Sequence, residues 1–250
     1  MIESPLVTIG IPTYNRLEML RSAVESIAEQ TYSNIELVIS DNSSSDGTQD
    51  FLSTLEFEFP LKVLYQSQNI GMRENWNACL NEANGDYFLL LSDDDMLTVG
   101  SIQLLVDNSV GIQNFGFSYG RVQYLASNTD RPFKFKSPNL EKGSDWLSGH
   151  LKGERQEYPS ATLIPTYLAR DSGGYPNVGH STDFAMLLLL ASGRQVVYVD
   201  ETIALYRIHN AALSNEIEMI ESVVSQLNWI DSDCFVSDEV RRKLTKNYHW

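Results

Sequence analysis

The stretch Tyr87-Phe88-Leu89-Leu90-Leu91-Ser92-Asp93-Asp94-Asp95 decides the fold. An almost wholly apolar run ends abruptly in three consecutive carboxylates. A strand that is apolar on both faces belongs to a parallel sheet covered by helices on each side. In such sheets ligands bind beyond the C-terminal ends of the strands. The aspartates therefore stand where chemistry is expected.

The same arrangement recurs upstream. Leu6–Ile11 is a β-rich apolar run that ends at Pro12, and Arg16–Gln30 follows with Leu17, Leu20, Val24 and Ile27 at helical spacing. Ile35–Ser40 predicts a second strand, and Asp46–Leu55 a helix with Asp46 near its start as N-cap. Leu61–Tyr65 predicts a third strand, and Arg73–Ala83 a helix that stops near Asn84-Gly85. Strand and helix alternate, which is the signature of an α/β fold with a mostly parallel, Rossmann-like sheet. Each predicted strand is followed by polar residues: Pro12-Thr13-Tyr14-Asn15-Arg16, Asp41 to Thr48, Asn69-Ile70-Gly71-Met72-Arg73, and Ser92 to Asp95.

Downstream the character changes. Phe115–Ala126 reads as one or two strands. Thr129–Pro159 is polar and carries Pro132, Pro138, Gly143, Gly149 and Gly153, which predicts a loop-rich stretch. Ser160–Ile164, Val196–Val199 and Ile203–Ile208 are short strand candidates, and Asp183–Ala191 and Glu216–Ile230 helical ones. The expected organisation is a single globule over residues 1–250, with a nucleotide-type half over 1–118 and a mixed half over 119–250.

Composition bounds the function. With 42% hydrophobic and 20% charged residues the chain is globular, and its net charge is −15. That balance excludes a general nucleic-acid binder, since phosphate contacts need a basic face. A phosphate-bearing ligand then needs a cation, or a few placed Arg and Lys side chains. Cys79 and Cys234 form neither a disulfide framework nor a zinc site, so a reduced, cytoplasmic protein is expected. No secretory leader is visible at the N-terminus. The longest strongly apolar run, Phe184–Ala191, is far short of the about 20 residues that span a bilayer. Peripheral attachment at the inner face of a membrane stays open.

Three carboxylates directly after an apolar strand suit a hard divalent cation, because Mg²⁺ and Mn²⁺ bridge one or two carboxylates to a diphosphate. The competing reading is a helix cap or a solvated loop. Singly, Asp41 could cap a turn, Gly71 could serve backbone geometry and Arg73 could be a surface charge. Their common position after strands is the stronger signal.

Leu6–Arg16, Glu36–Thr48 and Asn69–Asp95 resemble the nucleotide-sugar half of glycosyltransferase family two, with its GT-A fold. The opening Val7–Arg16, the segment Asp41 to Thr48, Asn69-x-Gly71, Asn77, Gly85-Asp86-Tyr87 and the acidic cluster keep the family's order and spacing. Fainter echoes follow in Gly173-Gly174-Tyr175, Ser181-Thr182-Asp183, and Tyr206-Arg207-Ile208-His209 with Ser214. The resemblance implies transfer of a sugar from a nucleoside diphosphate, usually UDP, to an acceptor hydroxyl. The acceptor it implies is a glycan or a lipid-linked sugar of a bacterial cell-surface polysaccharide or lipopolysaccharide pathway. It places Thr13 and Tyr14 near the base, Asp41 at the uracil or ribose, and Asn69, Gly71 and Arg73 along the nucleotide pocket with Pro12 and Arg16. By register Asp93 meets the ribose and Asp94 the Mn²⁺ or Mg²⁺, with Asp95 as alternative metal ligand. His209 resembles a late family histidine that reaches the metal or diphosphate. Many relatives carry Asp where this chain has Ser92, and Glu where it has Thr182.

Inversion at the anomeric carbon needs a carboxylate that takes the acceptor's proton. The resemblance assigns this role to Asp183, which could equally be a helix N-cap. Asp171 is the next carboxylate to consider. His180 lies near Asp183 in sequence, and Trp146 and Tyr158 could stack on a sugar or pack in the core. Two other functions fit less well. A nucleotidyltransferase typically has a Gly-rich phosphate loop after its first strand, and none is present here. A non-catalytic nucleotide-sugar or glycan-binding module would not need both the acidic cluster and the base.

Overall fold

The structure, a computed structural model, describes residues 4–125, 137–178 and 181–208. The chain opens with β1 (Val7–Thr13), α1 (Leu17–Ala28), β2 (Ile35–Asp41), α2 (Thr48–Leu52), β3 (Leu61–Tyr65), α3 (Met72–Glu82) and β4 (Tyr87–Leu90). It continues with β5 (Met96–Leu97), α4 (Ser101–Ser109), β6 (Phe115–Tyr124), β7 (Leu140–Lys142), α5 (Gly143–Leu151) and a 3-10 turn at Pro159–Ala161. The last described elements are β8 (Thr162–Pro165), α6 (Thr166–Asp171), α7 (Thr182–Ala191) and β9 (Gln195–Tyr206). The strands form one sheet in the order β3-β2-β1-β4-β8-β6-β9-β5, and β7 pairs with β9.

β3, β2, β1 and β4 run parallel, so their C-terminal ends share one edge. β8 lies antiparallel between β4 and β6 and joins the two halves into a continuous sheet. Every residue of β1 and β2 is buried. Alternate side chains feed two cores. Ile9, Ile11, Leu37 and Ile39 meet Leu20, Val24 and Ile27 of α1 and Leu105 and Val106 of α4. Val38, Phe88, Phe117 and Tyr119 meet Leu80, Trp146, Leu168 and Met186 on the other face.

Close backbone approach explains two glycines of the first half. A Cβ at Gly10 would lie 2.6 Å from the Phe88 ring, and one at Gly85 would lie 2.6 Å from the Thr8 nitrogen. Beside Gly85 sits a buried polar knot. Thr8 Oγ1 donates to Glu36 Oε1 at 2.5 Å, Asn84 N donates to the same oxygen at 2.5 Å, and Gly85 N donates to Thr8 Oγ1 at 2.9 Å. Burial pushes the Glu36 carboxyl up, but the donors from Thr8, Asn84 and Gly85 outweigh it and hold the group below its ordinary range.

Several sequence expectations change in the structure. The helix expected over Asp46–Leu55 shortens to α2, because Ser53 and Thr54 turn their hydroxyls onto the carbonyls of Asp50 and Phe51, each at 2.7 Å. The two late strands are one, β9, with a bulge where Gly120 faces Val199 and Arg121 faces Thr202. The loop-rich reading of Thr129–Pro159 is corrected for its described part, which holds β7 and α5. Gly143 looks like loop punctuation but is a packing residue: a Cβ there would sit 1.9 Å from the Ala191 carbonyl oxygen. Trp146 is fully buried, edge-on to Phe117 with ring centroids 5.1 Å apart. The helix expected at Glu216–Ile230, His180 and Cys234 lie outside the described residues.

Glu36 gives a test of the knot. A carboxyl held low when folded contributes stability that is present above its unfolded pKa and lost as pH falls through its folded one. Glu36→Gln should cost about 1–3 kcal/mol at neutral pH. The gap to wild type should narrow below about pH 4. Urea midpoints at the two pH values measure it, and a gap that does not change with pH would refute the assignment.

Candidate active site

The edge formed by the ends of β1, β2, β3 and β4 gathers most of the sequence candidates. Thr13 Oγ1 donates to Asp93 Oδ2 at 2.8 Å. Arg16 Nη1 donates to Asp93 Oδ1 and to Asp94 Oδ2, each at 2.9 Å. Asp93 is buried, which pushes its carboxyl up, while Arg16 pulls it back and Asp94 adds to the rise. Asp95 is pushed up to about 7 by burial, against the hydrogen bond from Ser160 and with a further push from Asp94. Ser160 Oγ donates to Asp95 Oδ2 at 2.6 Å, and Arg207 N donates to Asp95 Oδ1 at 3.1 Å. Arg207 Nε also donates to the Asp94 carbonyl at 3.1 Å.

The β2 and β3 ends are stitched together next to this cluster. Buried Asp41 accepts from Ser44 N at 3.2 Å and from Gln49 Nε2 at 2.8 Å. Asn69 Oδ1 accepts from Asn42 Nδ2 at 3.1 Å and from Gly71 N at 2.9 Å, and Asn42 Oδ1 accepts from Ile70 N at 2.8 Å. Gly71 has φ +90°, a left-handed value that favours glycine. Pro12 is buried in β1, opposite Ser40, and the Tyr14 side chain is exposed. Arg73 pairs with Glu74 and donates to the Tyr175 carbonyl at 3.4 Å, which turns it toward the second half.

Asp183 lies in the first turn of α7. Burial pushes its carboxyl up, the backbone N–H of Phe184 opposes, Glu157 adds to the rise and His150 lowers it. Burial pushes the Tyr206 phenol up to about 12, and the charges of Asp95, Asp94 and Asp183 add to the rise. Asp171 is exposed at the end of α6. His209 lies outside the described residues.

Among the described residues, no group of three or more His, Cys, Asp or Glu side chains is arranged to hold a metal. The oxygens of Asp93 and Asp94 nevertheless converge on one positive charge, the Arg16 guanidinium, and carboxylate oxygens are the ligands that Mg²⁺ and Mn²⁺ take. One or two carboxylates with diphosphate oxygens make an adequate set. The residues therefore fit the ion.

Sequence reasoning missed Asn42, Ser160 and the role of Arg207. Asn42 stood inside the quoted Asp41–Thr48 segment, and Arg207 inside the late echo beside His209. Ser160 carried no local signal, because its partner lies 65 positions away.

A parallel sheet with carboxylates at the end of β4, extended by a half in which parallel and antiparallel pairs mix, defines the GT-A type of sugar-transferase fold. S. aureus TarS residues 1–349 in complex with UDP superimposes with TM-score 0.71 at 16% identity, over 98% of this chain and 72% of that one. A mannosyltransferase from Pyrobaculum calidifontis, solved with GDP-Man and Mn²⁺, gives TM-score 0.73 at 15% identity, over 99% and 71%. The sequence of residues 8–148 matches Glycosyl transferase family 2, and the chain belongs to that family. A Campylobacter jejuni relative, GalNAc(5)-diNAcBac-PP-undecaprenol beta-1,3-glucosyltransferase, is 29% identical over 158 residues. That match covers 60% of this chain, and the chain spans 50% of the relative's length.

Asp95 sets a test of the site's electrostatics. A carboxyl raised when folded favours folding below its unfolded pKa and loses that advantage as pH rises through its folded value. Between an unfolded value near 3.9 and about 7, the penalty at about pH 8 is on the order of 4 kcal/mol in metal-free protein. Asp95→Asn should therefore melt higher than wild type in EDTA at about pH 8, and lose that advantage near pH 5. An equal difference at both pH values would refute the burial argument.

Proposed function

We propose that the chain is an inverting, metal-assisted glycosyltransferase that moves a sugar from a UDP-sugar to the hydroxyl of a glycan or lipid-linked acceptor. The observation that carries this is the acidic cluster at the end of β4, where Arg16 Nη1 lies 2.9 Å from both Asp93 Oδ1 and Asp94 Oδ2, in a chain of Glycosyl transferase family 2. Those carboxylates suit a diphosphate with its cation, and Asp183 in the first turn of α7 suits the acceptor.

In this reading the donor half binds through Pro12, Thr13, Tyr14, Arg16, Asp41, Asn69, Gly71, Arg73 and Asp93. A Mg²⁺ or Mn²⁺ held by Asp94, with Asp95 and His209 as further ligands, would neutralise the leaving diphosphate. Asp183 takes the proton of the acceptor hydroxyl as that oxygen attacks the anomeric carbon. The bond from that carbon to the diphosphate oxygen breaks, which leaves UDP and a glycoside of inverted configuration. The UDP choice draws support from the UDP complex of TarS, and the metal from the Mn²⁺ of the Pyrobaculum enzyme. The lipid-linked acceptor draws support from the undecaprenol diphosphate in the Campylobacter relative's name. Such an acceptor belongs at the cytoplasmic face of the membrane, where the enzyme would attach peripherally. No described helix is long and apolar enough to cross a membrane.

Asp183→Asn separates binding from chemistry. Ser181, not Asp183, stands at the N-cap of α7, and Asn matches Asp in size, so the fold should hold. UDP affinity by calorimetry should stay within about twofold of wild type while transfer falls about 10²–10⁴-fold, or roughly 2.7–5.4 kcal/mol. Transfer that persists within a few-fold would remove Asp183 as the base. Asp94→Ala, like EDTA on the wild type, should weaken UDP binding, and affinity indifferent to both would remove the metal.

A further inference from the structure

Across the acidic cluster from the nucleotide residues, the second half presents a group of tyrosines that the reaction just described does not use. β8 is antiparallel to both β4 and β6, and β9 is parallel to β6, so β6 and β9 run in the direction of β4. Their last residues, Tyr124 and Tyr206, are paired in register and end on the edge that carries Asp93–Asp95. Tyr158 reaches the same edge just before the turn that enters β8. Short bonds tie this group to the cluster. Ser160, two residues after Tyr158, donates to Asp95 Oδ2 at 2.6 Å, and the N–H of Arg207, next after Tyr206, donates to Asp95 Oδ1 at 3.1 Å. Met96, next after Asp95, pairs with Leu205 on β9.

The three rings brace one another. Tyr206 stands edge-on to Tyr124, with centroids 5.6 Å apart and planes at 81°, and tilts against Tyr158 at 4.9 Å and 53°. The Tyr124 and Tyr158 hydroxyls share a hydrogen bond of 2.6 Å, and Gln156 Nε2 donates to both. Two rings locked through their hydroxyls thus fix the plane of the third. All three tyrosines are half-buried and Gln156 is exposed, so each keeps part of its surface in water. Burial pushes the Tyr158 and Tyr206 phenols up, so both keep their protons at neutral pH.

A fixed aromatic ring with hydroxyl and amide groups at its rim has the chemistry that recognises a pyranose, which offers C–H bonds on one face and hydroxyls around its edge. Inversion decides which pyranose. The attacking hydroxyl must come from the face of the donor sugar opposite the leaving group. The nucleotide residues at the ends of β1, β2 and β3 lie on one flank of β4, and the tyrosines lie on the other. We propose that Tyr206, braced by Tyr124 and Tyr158 and rimmed by Gln156, is the platform on which the terminal pyranose of the acceptor lies. The proposal rests on the transferase reading above.

The test is saturation-transfer NMR on the full chain with UDP and Mn²⁺ present. The probes are the methyl glycosides of N-acetylgalactosamine, N-acetylglucosamine, galactose, glucose and rhamnose. At least one should bind, with its ring protons saturated. Tyr206→Leu, apolar but without a flat ring, should weaken that binding about fivefold or more, while Tyr206→Phe should hold it within about twofold. Gln156→Ala, at an exposed position, should weaken it about twofold or more. UDP affinity by calorimetry should stay unchanged in all three variants, whereas a disturbed Asp95 loop would lower it. Tyr206→Leu decides where it folds, and Gln156→Ala decides where it does not. No bound glycoside, or binding unmoved in the deciding variant, overturns the proposal. So does a Tyr206→Leu variant that loses affinity for UDP-GlcNAc but for neither UDP nor the glycoside, since the ring would then serve the donor sugar. A glycoside held by these residues in a chain that binds no UDP supports the platform and removes the transferase reading instead.

Discussion

The structure depends on one bridge, in which the Arg16 guanidinium joins Asp93 and Asp94 and Thr13 holds the remaining oxygen of Asp93. Two neighbouring carboxylates at the mouth of an apolar strand repel one another, and a cation held between them offsets that repulsion. Arg16, just past the end of β1, supplies one, so the start of α1 is tied to the end of β4 by charge while β1 is tied to β4 by the sheet ladder. The parallel register carries that fixed point outward. β1 pairs in phase with β2 from Val7–Ile35 to Thr13–Asp41, so Asp41 is delivered level with Thr13.

The second half enters the site through a few long-range bonds. Ser160 and Arg207 take one oxygen each of Asp95, from the turn before β8 and from just after β9. Asn77 of α3 accepts from Tyr175 N at 2.8 Å and donates to its carbonyl at 3.2 Å, with Gly174 at φ +78° pressed against the same amide. These contacts explain why motif residues so far apart in sequence can act together. Two of the late echoes touch the first half's motif: Gly174 and Tyr175 meet Asn77, and Arg207 meets Asp94 and Asp95.

What the sequence discloses divides along the same line. The first half was legible because its strands are apolar throughout and their turns announce themselves. The parallel sheet, the shared edge and the grouping of Thr13, Arg16, Asp93 and Asp94 all follow from that. Asp41, Asn69 and Gly71 also fall on this edge, although Asp41 is spent on its own loop and Arg73 turns toward Tyr175. The region around α5 was misread because its glycines are there for close packing. Gly143 abuts Ala191, and Gly149 would put a Cβ 2.9 Å from Arg155, while both look like loop punctuation in sequence. Ser160 was silent for another reason. Its significance lies in a partner on another element, and no local spacing encodes that.

The net charge of −15 ties these observations to the proposed donor. A nucleoside diphosphate approaching this edge meets three aspartates, and the two arginines in contact with them are already engaged. Burial has raised both Asp93 and Asp95, a sign that the cluster carries more negative charge than its surroundings solvate. Added positive charge would relieve that excess and be held by it, because buried carboxylates attract a cation more strongly than solvated ones do. The same excess would oppose a bare diphosphate. On the proposed reading, ion and nucleotide therefore bind with mutual dependence: each removes the charge imbalance that the other alone would leave. The acidity of this chain thus suits a ligand that arrives with its own cation.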